Sequence, residues 1–215
     1  MISGGTALGL PSTVLVGRTM PKKAFYEHLK TTAPVKAEFT QFIEHIELIA
    51  SIKESSLHIP ATKEIVEIDV LGLWLRSEEN ADQAFPYQAL DLIARSISNK
   101  LLFACFRSES CKFLIKWGQF YETPWMLTSE AELRLHGSTL EELWWSFCSQ
   151  VVFGIPDSAN FPERLANQKK EESLITELNQ INKKRKTEKQ VAKRNALFDR
   201  KREIEQELKR LKGMF

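Results

Sequence analysis

From Glu163 to Lys212 the chain runs fifty residues without a Pro or a Gly. Lys, Arg, Glu, Gln, Asn, Leu and Ala dominate the tract, and nothing in it breaks the hydrogen-bond ladder of an α-helix, so a rod of roughly 75 Å is permitted at 1.5 Å per residue. The apolar positions argue against one smooth rod. Leu174, Leu178 and Ile181 are spaced four and three, as in a coiled-coil seam, and Leu197, Ile204, Leu208 and Leu211 form a second seam. Continued in sevens, the first seam arrives at Glu188 and Asn195, whereas the second, run backwards from Leu197, arrives at Gln190 and Lys183. The two are out of phase. Either a turn between 183 and 195 folds the tract into a helical hairpin, or the seams grip different partners, a second copy of the chain included.

Charge is segregated in the same way. Residues 163–215 hold sixteen Lys and Arg against nine Asp and Glu, a net of +7, while the whole chain carries +2, which leaves −5 on residues 1–162. Between the seams lie Lys183, Lys184, Arg185, Lys186, Lys189, Lys193 and Arg194, with Glu188 the one acid among them. Such a strip reads as a phosphate-binding surface or a clamp for an acidic partner, and equally as the solvated face of a coiled coil.

The remainder has the makings of one core. With 43% hydrophobic and 10% aromatic residues in 215, the chain can bury a single globular domain and carry an appendage. The organisation expected is an α+β head over 1–155, a linker rich in Pro, Asp, Ser and Asn over 156–162, and a basic coiled-coil tail over 163–215. No apolar run reaches the length of a membrane span, and Met1 to Gly9 lacks a secretory core. Cys105, Cys111 and Cys148 are odd in number and form no CxxC pair, which points to buried thiols in a reducing cytoplasm.

Taken in order, Thr13 to Val16 is a candidate edge strand. Thr19 and Pro21 suit the start of a short helix burying Phe25, Tyr26 and Leu29. After Pro34 the spacing of Phe39, Phe42, Ile43, Ile46 and Ile49 predicts a helix to about Ile52. Glu64 to Arg76 turns apolar on both faces, the mark of an interior strand. An acidic loop follows over 77–84, and a helix from Pro86 to about Ser98 places Leu90, Ile93, Ala94 and Ile97 on one side, with Asn99 as its stop. Lys100 to Arg107 and Lys112 to Trp117 are expected to pair as a hairpin, with further extended segments at 119–127 and 130–136. Ser138 and Glu141 match an S-x-x-E capping box for a helix burying Leu140, Leu143, Trp144, Phe147, Cys148 and Val151, which Gly154 and Pro156 end. The sheet should be mixed and mostly antiparallel.

Catalytic motifs are sparse. His28, His45, His58 and His136 stand singly, so no zinc spacing is present, and neither a nucleophile elbow, a Walker A loop nor GxGxxG occurs. No cofactor or metal is expected. The sharpest enzymatic option is a metal-dependent nuclease using Glu67 and Asp69, which project from one face of their strand, with Lys112 and Lys116 on a later one. Phe120, Tyr121 and Trp125 around Glu122 could form a stacking or peptide-binding surface, or simply cover the sheet.

Several of these stretches, in order, carry a family likeness. Leu10-Pro11, Pro21-Lys22-Lys23 with Phe25, Leu90 and Ile93 in their helix, Leu101-Leu102-Phe103 and the block Phe120-Tyr121-Glu122-Thr123-Pro124-Trp125 lead to Glu188-Lys189-Gln190, then Lys201, Glu203 and Leu208-Lys209-Arg210-Leu211-Lys212. The chain thereby resembles the bacterial and archaeal domain of unknown function 4391, whose members are often encoded beside type III restriction and modification enzymes or related helicases. Val191 and Ala192 depart from it, standing where the family tends to carry an aromatic and a polar residue. The resemblance implies an accessory role in restriction-modification or anti-phage defence, with a helicase, nuclease or methyltransferase as protein partner and no activity to carry over.

The function expected is therefore a non-enzymatic interaction protein, docking a partner through its head and tail. A sequence-independent DNA-binding module and an effector nuclease are the alternatives.

Overall fold

A computed structural model describes residues 8–27, 31–76 and 85–212, so His28, Leu29 and the acidic loop at 77–84 lie outside the described residues. The chain divides into two compact units, with the boundary between Ala159 and Asn160.

The first unit is built on a seven-stranded sheet, with β1 (Leu15–Met20), β2 (Ile43–Lys53), β3 (Glu67–Leu75), β4 (Lys100–Arg107), β5 (Ser110–Trp117) and β6 (Gln119–Glu122) side by side in chain order. The short β7 (Met126–Leu127) also pairs β5. β3 and β4 run parallel and the other pairs are antiparallel. A parallel pair needs a crossover, and here α4 (Tyr87–Ser96) supplies it. The fold is α+β with a mostly antiparallel mixed sheet.

Alternation along the central strands sends side chains to two covered faces. Leu71, Leu73 and Leu75 of β3 and Leu101, Phe103 and Cys105 of β4 join a core with Phe25 and Tyr26 of α1 (Lys23–Tyr26), Phe39 of α2 (Ala33–Gln41) and Leu90 and Ile93 of α4. α3 (Glu54–Leu57) is a single turn after β2. α5 (Leu140–Phe153), with Leu143, Trp144, Phe147 and Cys148 buried, packs near β3, β5 and β6.

The helix expected from Pro34 to Ile52 is instead α2 followed by a strand. Residues buried along β2 include Ile43, Ile46, Ile49, Ala50 and Ile52. Its pairing with β3 shifts register between Ile43 and His45 and again between Leu48 and Ala50. Each irregularity inserts a residue and turns a period of two into a local spacing of three, which mimics a helix. β1 likewise precedes both helices, and Thr19 pairs with Glu47 in the sheet rather than capping α1. The segment expected to be extended at 130–136 begins with a 3-10 turn at Thr128–Glu130 and then runs irregularly, Leu133 N–H donating to the Leu8 carbonyl at 2.8 Å.

The cap of α5 sits one residue later than expected. Thr139 Oγ1 accepts from Glu142 N–H at 3.2 Å, while the Glu142 carboxylate accepts from the Ser138 N–H at 2.7 Å and its hydroxyl at 2.6 Å. Thr139-x-x-Glu142 obeys the same rule as Ser138-x-x-Glu141, so spacing alone left the choice open. Gly154, at φ +75°, ends the helix in the left-handed conformation that favours glycine.

The second unit is a helical hairpin of α6 (Phe161–Thr187) and α7 (Val191–Lys212). Its core is Leu174, Ile181, Ile204 and Leu211, with Leu178, Leu197 and Leu208 packed against them. The two out-of-phase seams face each other. The turn is only Glu188, Lys189 and Gln190, where the Glu188 carboxylate accepts from the Gln190 N–H at 2.8 Å. Burial of the seams compensates for the helical hydrogen bonds that such a turn gives up.

Candidate nucleic-acid interface

Because the hairpin reverses at 188–190, the last turn of α6 and the first turn of α7 share one end of the unit. Lys183, Lys184, Arg185 and Lys186 come from α6, Lys189 from the turn, and Lys193 and Arg194 from α7. All are exposed except Arg185, which is half-buried. Arg185 follows Ile181 by four and so takes the next seam position, where its guanidinium lies 5.1 Å from the centre of the Phe198 ring.

Farther along the hairpin, bases and acids pair. Lys170 meets Glu207 at 2.5 Å, Arg200 holds both carboxylate oxygens of Glu177 at 2.8 and 3.0 Å, and Lys201 meets Glu205 at 3.5 Å. The hydrogen bonds from Arg200 draw the Glu177 carboxyl below its ordinary range. Among the described residues none of the seven tip bases has an ion pair. A groove of about 430 Å³ runs beside them, lined by Lys184, Thr187, Glu188, Lys193, Ala196 and Leu197. The tip can attract anions and displace their counterions.

The head presents two polar clusters. At one end of the sheet Glu67 accepts from Ser51 Oγ at 2.5 Å and from Lys53 Nζ at 3.1 Å, and Asp69 accepts from Asn99 Nδ2 at 2.9 Å. Asp69 Oδ1 is buried without a hydrogen-bond partner among the described residues. Burial, opposed by Asn99 and reinforced by the neighbouring Glu67, raises the Asp69 carboxyl to about 6. Among the described residues no three His, Cys, Asp or Glu side chains converge as a metal-ligand set. The structure does bring Glu67 and Asp69 together, but Lys112 and Lys116 go elsewhere. Ser51 and Lys53 escaped the sequence reading because β2 passed for a helix, although the run Ser51-Ile52-Lys53 alternates as a strand does.

Lys112 is at the second cluster. Its Nζ donates to Glu122 Oε2 at 2.8 Å and lies 3.8 Å from the Phe85 ring centre and 5.1 Å from that of Trp125. Tyr87 Oη donates to the same carboxylate oxygen at 2.8 Å. Burial first, then Glu122, pushes the Tyr87 phenol up to about 12. Lys116 pairs with Asp91 of α4. Phe85 and Tyr87 were not singled out from sequence, and the signal available was a lysine sharing a strand face with Leu114. The three cysteines are free and buried, and burial raises their thiols, which removes them as nucleophiles at neutral pH.

These observations define an α+β head joined to a basic helical hairpin. The family model described as domain of unknown function (DUF4391) matches residues 8–208, and the chain belongs to that family. No match was found among curated proteins or among solved structures. No helix of the described residues is long and apolar enough to cross a membrane.

Proposed function

We propose that this chain is a non-enzymatic accessory protein of a bacterial or archaeal DNA-processing system, of the restriction-modification or anti-phage kind. In this reading the hairpin tip holds a DNA backbone and the head docks a protein of that system. The observation that carries it is the convergence on one three-residue turn of seven bases, none ion-paired among the described residues. With the seven seam residues packed on one another, the surface the hairpin offers is predominantly charged. For the head, Tyr87 and Trp125 beside Glu122 are large rings left partly open to solvent, as a docking surface requires.

The test is fluorescence anisotropy of short DNA with the full chain at several salt concentrations. Each phosphate neutralised should contribute a slope of about −0.7 to −0.9 in log K against log salt, for single and double strands respectively. A variant with Lys183, Lys184, Lys186 and Lys189 changed to Glu should lose binding. Binding unchanged in that variant would overturn the reading.

A second reading, a cation-dependent effector nuclease, is favoured by one observation: Asp69 keeps a buried oxygen beside Glu67 that has no hydrogen-bond partner among the described residues. It requires DNA cleavage with Mg²⁺ that disappears in the Glu67→Ala, Asp69→Ala double variant. Equal cleavage by both proteins, or none by either, removes it.

A further inference from the structure

The tip is not purely charged. Val191 is 62% exposed and Phe198 45% exposed, on the same helix as Lys193, Arg194 and Asn195. They are seven residues apart, two turns of α7, and therefore share a side of the helix. Arg185 reaches across from α6 to lie over part of the Phe198 ring. The result is an open aromatic surface, braced by a cation, among bases that have no ion pair with any described residue.

A duplex has no use for such a surface when only its backbone is held, because its bases are stacked on one another and present phosphate and sugar to the outside. An unpaired stretch offers phosphates and bare base faces together, and sequence-tolerant binders of single strands combine a basic track with aromatic platforms. We infer that the tip takes single-stranded DNA, its phosphates along Lys183, Lys186, Lys189 and Arg194 and one base laid on the part of the Phe198 ring that Arg185 leaves open. This rests on the phosphate-binding reading of the tip and narrows it to a class of ligand. It also gives Arg185 a role in positioning the ring.

The experiment compares three labelled probes on the full-length protein: a short oligo(dT), an abasic strand of equal length, and a duplex of that length. The abasic strand keeps the phosphates and removes the stacking faces. Oligo(dT) should bind about five- to 160-fold more tightly than the abasic strand, the range that stacking of one base on an aromatic ring supplies, and more tightly than the duplex. Phe198→Ala should bring oligo(dT) down to the abasic level without changing the abasic affinity, and Phe198→Trp should restore the difference. Phe198 is exposed, so neither substitution opens the hairpin core.

Equal affinity for oligo(dT) and the abasic strand, or preference for the duplex, overturns this inference and leaves the phosphate reading standing. A preference for oligo(dT) that survives Phe198→Ala overturns the assignment to this ring. No binding to any probe overturns the phosphate reading itself, and this inference with it.

Discussion

Lys112 and Glu122 hold each other across the β5–β6 pair at 2.8 Å, the lysine side chain only 6% exposed and the glutamate 37%. The ammonium is buried between aromatic rings and has the carboxylate as its counterion. Glu122→Ala strands that charge, and because the glutamate side chain is 37% exposed the loss should be about 1–3 kcal/mol in urea unfolding, less than for a pair buried on both sides. Replacing both with Lys112→Met and Glu122→Gln should cost less than Glu122→Ala alone, because no uncompensated charge remains. A larger loss in the double variant would show that the pair contributes more than mutual neutralisation.

Gly72 is fixed by a close approach. A Cβ built there would lie 2.5 Å from the Trp74 ring and 2.7 Å from Ile49 Cδ1. Trp74 in turn stacks between His45 and Phe106 at centroid distances of 4.3 and 4.7 Å, so the ring has neighbours on both sides. Gly72→Ala should destabilise the head by about 1–3 kcal/mol through overpacking. Gly118→Ala, with no described residue other than its chain neighbours within 4 Å of its Cβ but a φ of +74°, should cost about 1 kcal/mol from backbone strain. Thermal melts of the two variants distinguish the causes: adding Trp74→Leu should relieve part of the Gly72→Ala loss, the Ile49 contact remaining, and leave the Gly118→Ala loss unchanged.

Asp69 sets a pH dependence. Its carboxyl is raised from 3.8 to about 6 in the folded protein, mainly by burial. The folded state therefore holds this proton more tightly than the unfolded chain. Its contribution is fully present below about pH 4 and is lost as pH rises through about 6. Asp69→Asn keeps the shape and removes the titration. Measured against the natural chain by urea unfolding, the variant should gain about 1–2 kcal/mol between pH 4 and pH 8, after discounting for partial solvent access. A constant difference across that window would mean that Asp69 does not titrate there. Glu67, held by Ser51 and Lys53, is displaced the opposite way, so the comparison is made between variant and parent at each pH.

Ile204 is fully buried at the centre of the hairpin seam, whereas Ile175 on α6 is 41% exposed. Ile204→Ala should lower hairpin stability by about 2–3 kcal/mol, and Ile175→Ala by less than about 0.5. Circular dichroism at 222 nm during heating of the full chain reads both, since helices α6 and α7 contribute much of the helical signal. Equal effects would mean that the two seams do not pack as described.

Much of this architecture could be read from residue patterns, where one period persisted. Leu90 and Ile93 in α4, and Leu140, Leu143, Trp144 and Phe147 in α5, kept the helical repeat, while Val70 to Leu75 announced a strand covered on both faces. β2 was illegible for a physical reason, since its two register shifts space Ile43, Ile46 and Ile49 as a helix would. That one misreading also hid Ser51 and Lys53 beside Glu67. In the tail, the clash of phase between Leu174-Leu178-Ile181 and Leu197-Ile204-Leu208-Leu211 pointed to a turn or to separate partners, and the turn is what the chain adopts. Its site at 188–190 carries no Gly or Pro, so no local signal marked it. The ring of Phe198 under Arg185 was missed because it depends on two helices meeting, and no single helix face displays it.

The turn at Glu188, Lys189 and Gln190 has an energetic consequence. Seven like charges brought around so short a reversal repel one another, and that repulsion works against the closure of the two helices at the end farthest from their salt bridges. Any polyanion that screens those charges removes part of the opposition. Hairpin closure and ligand binding are then two halves of one linked equilibrium, in which occupancy tightens the helices and tighter helices raise occupancy.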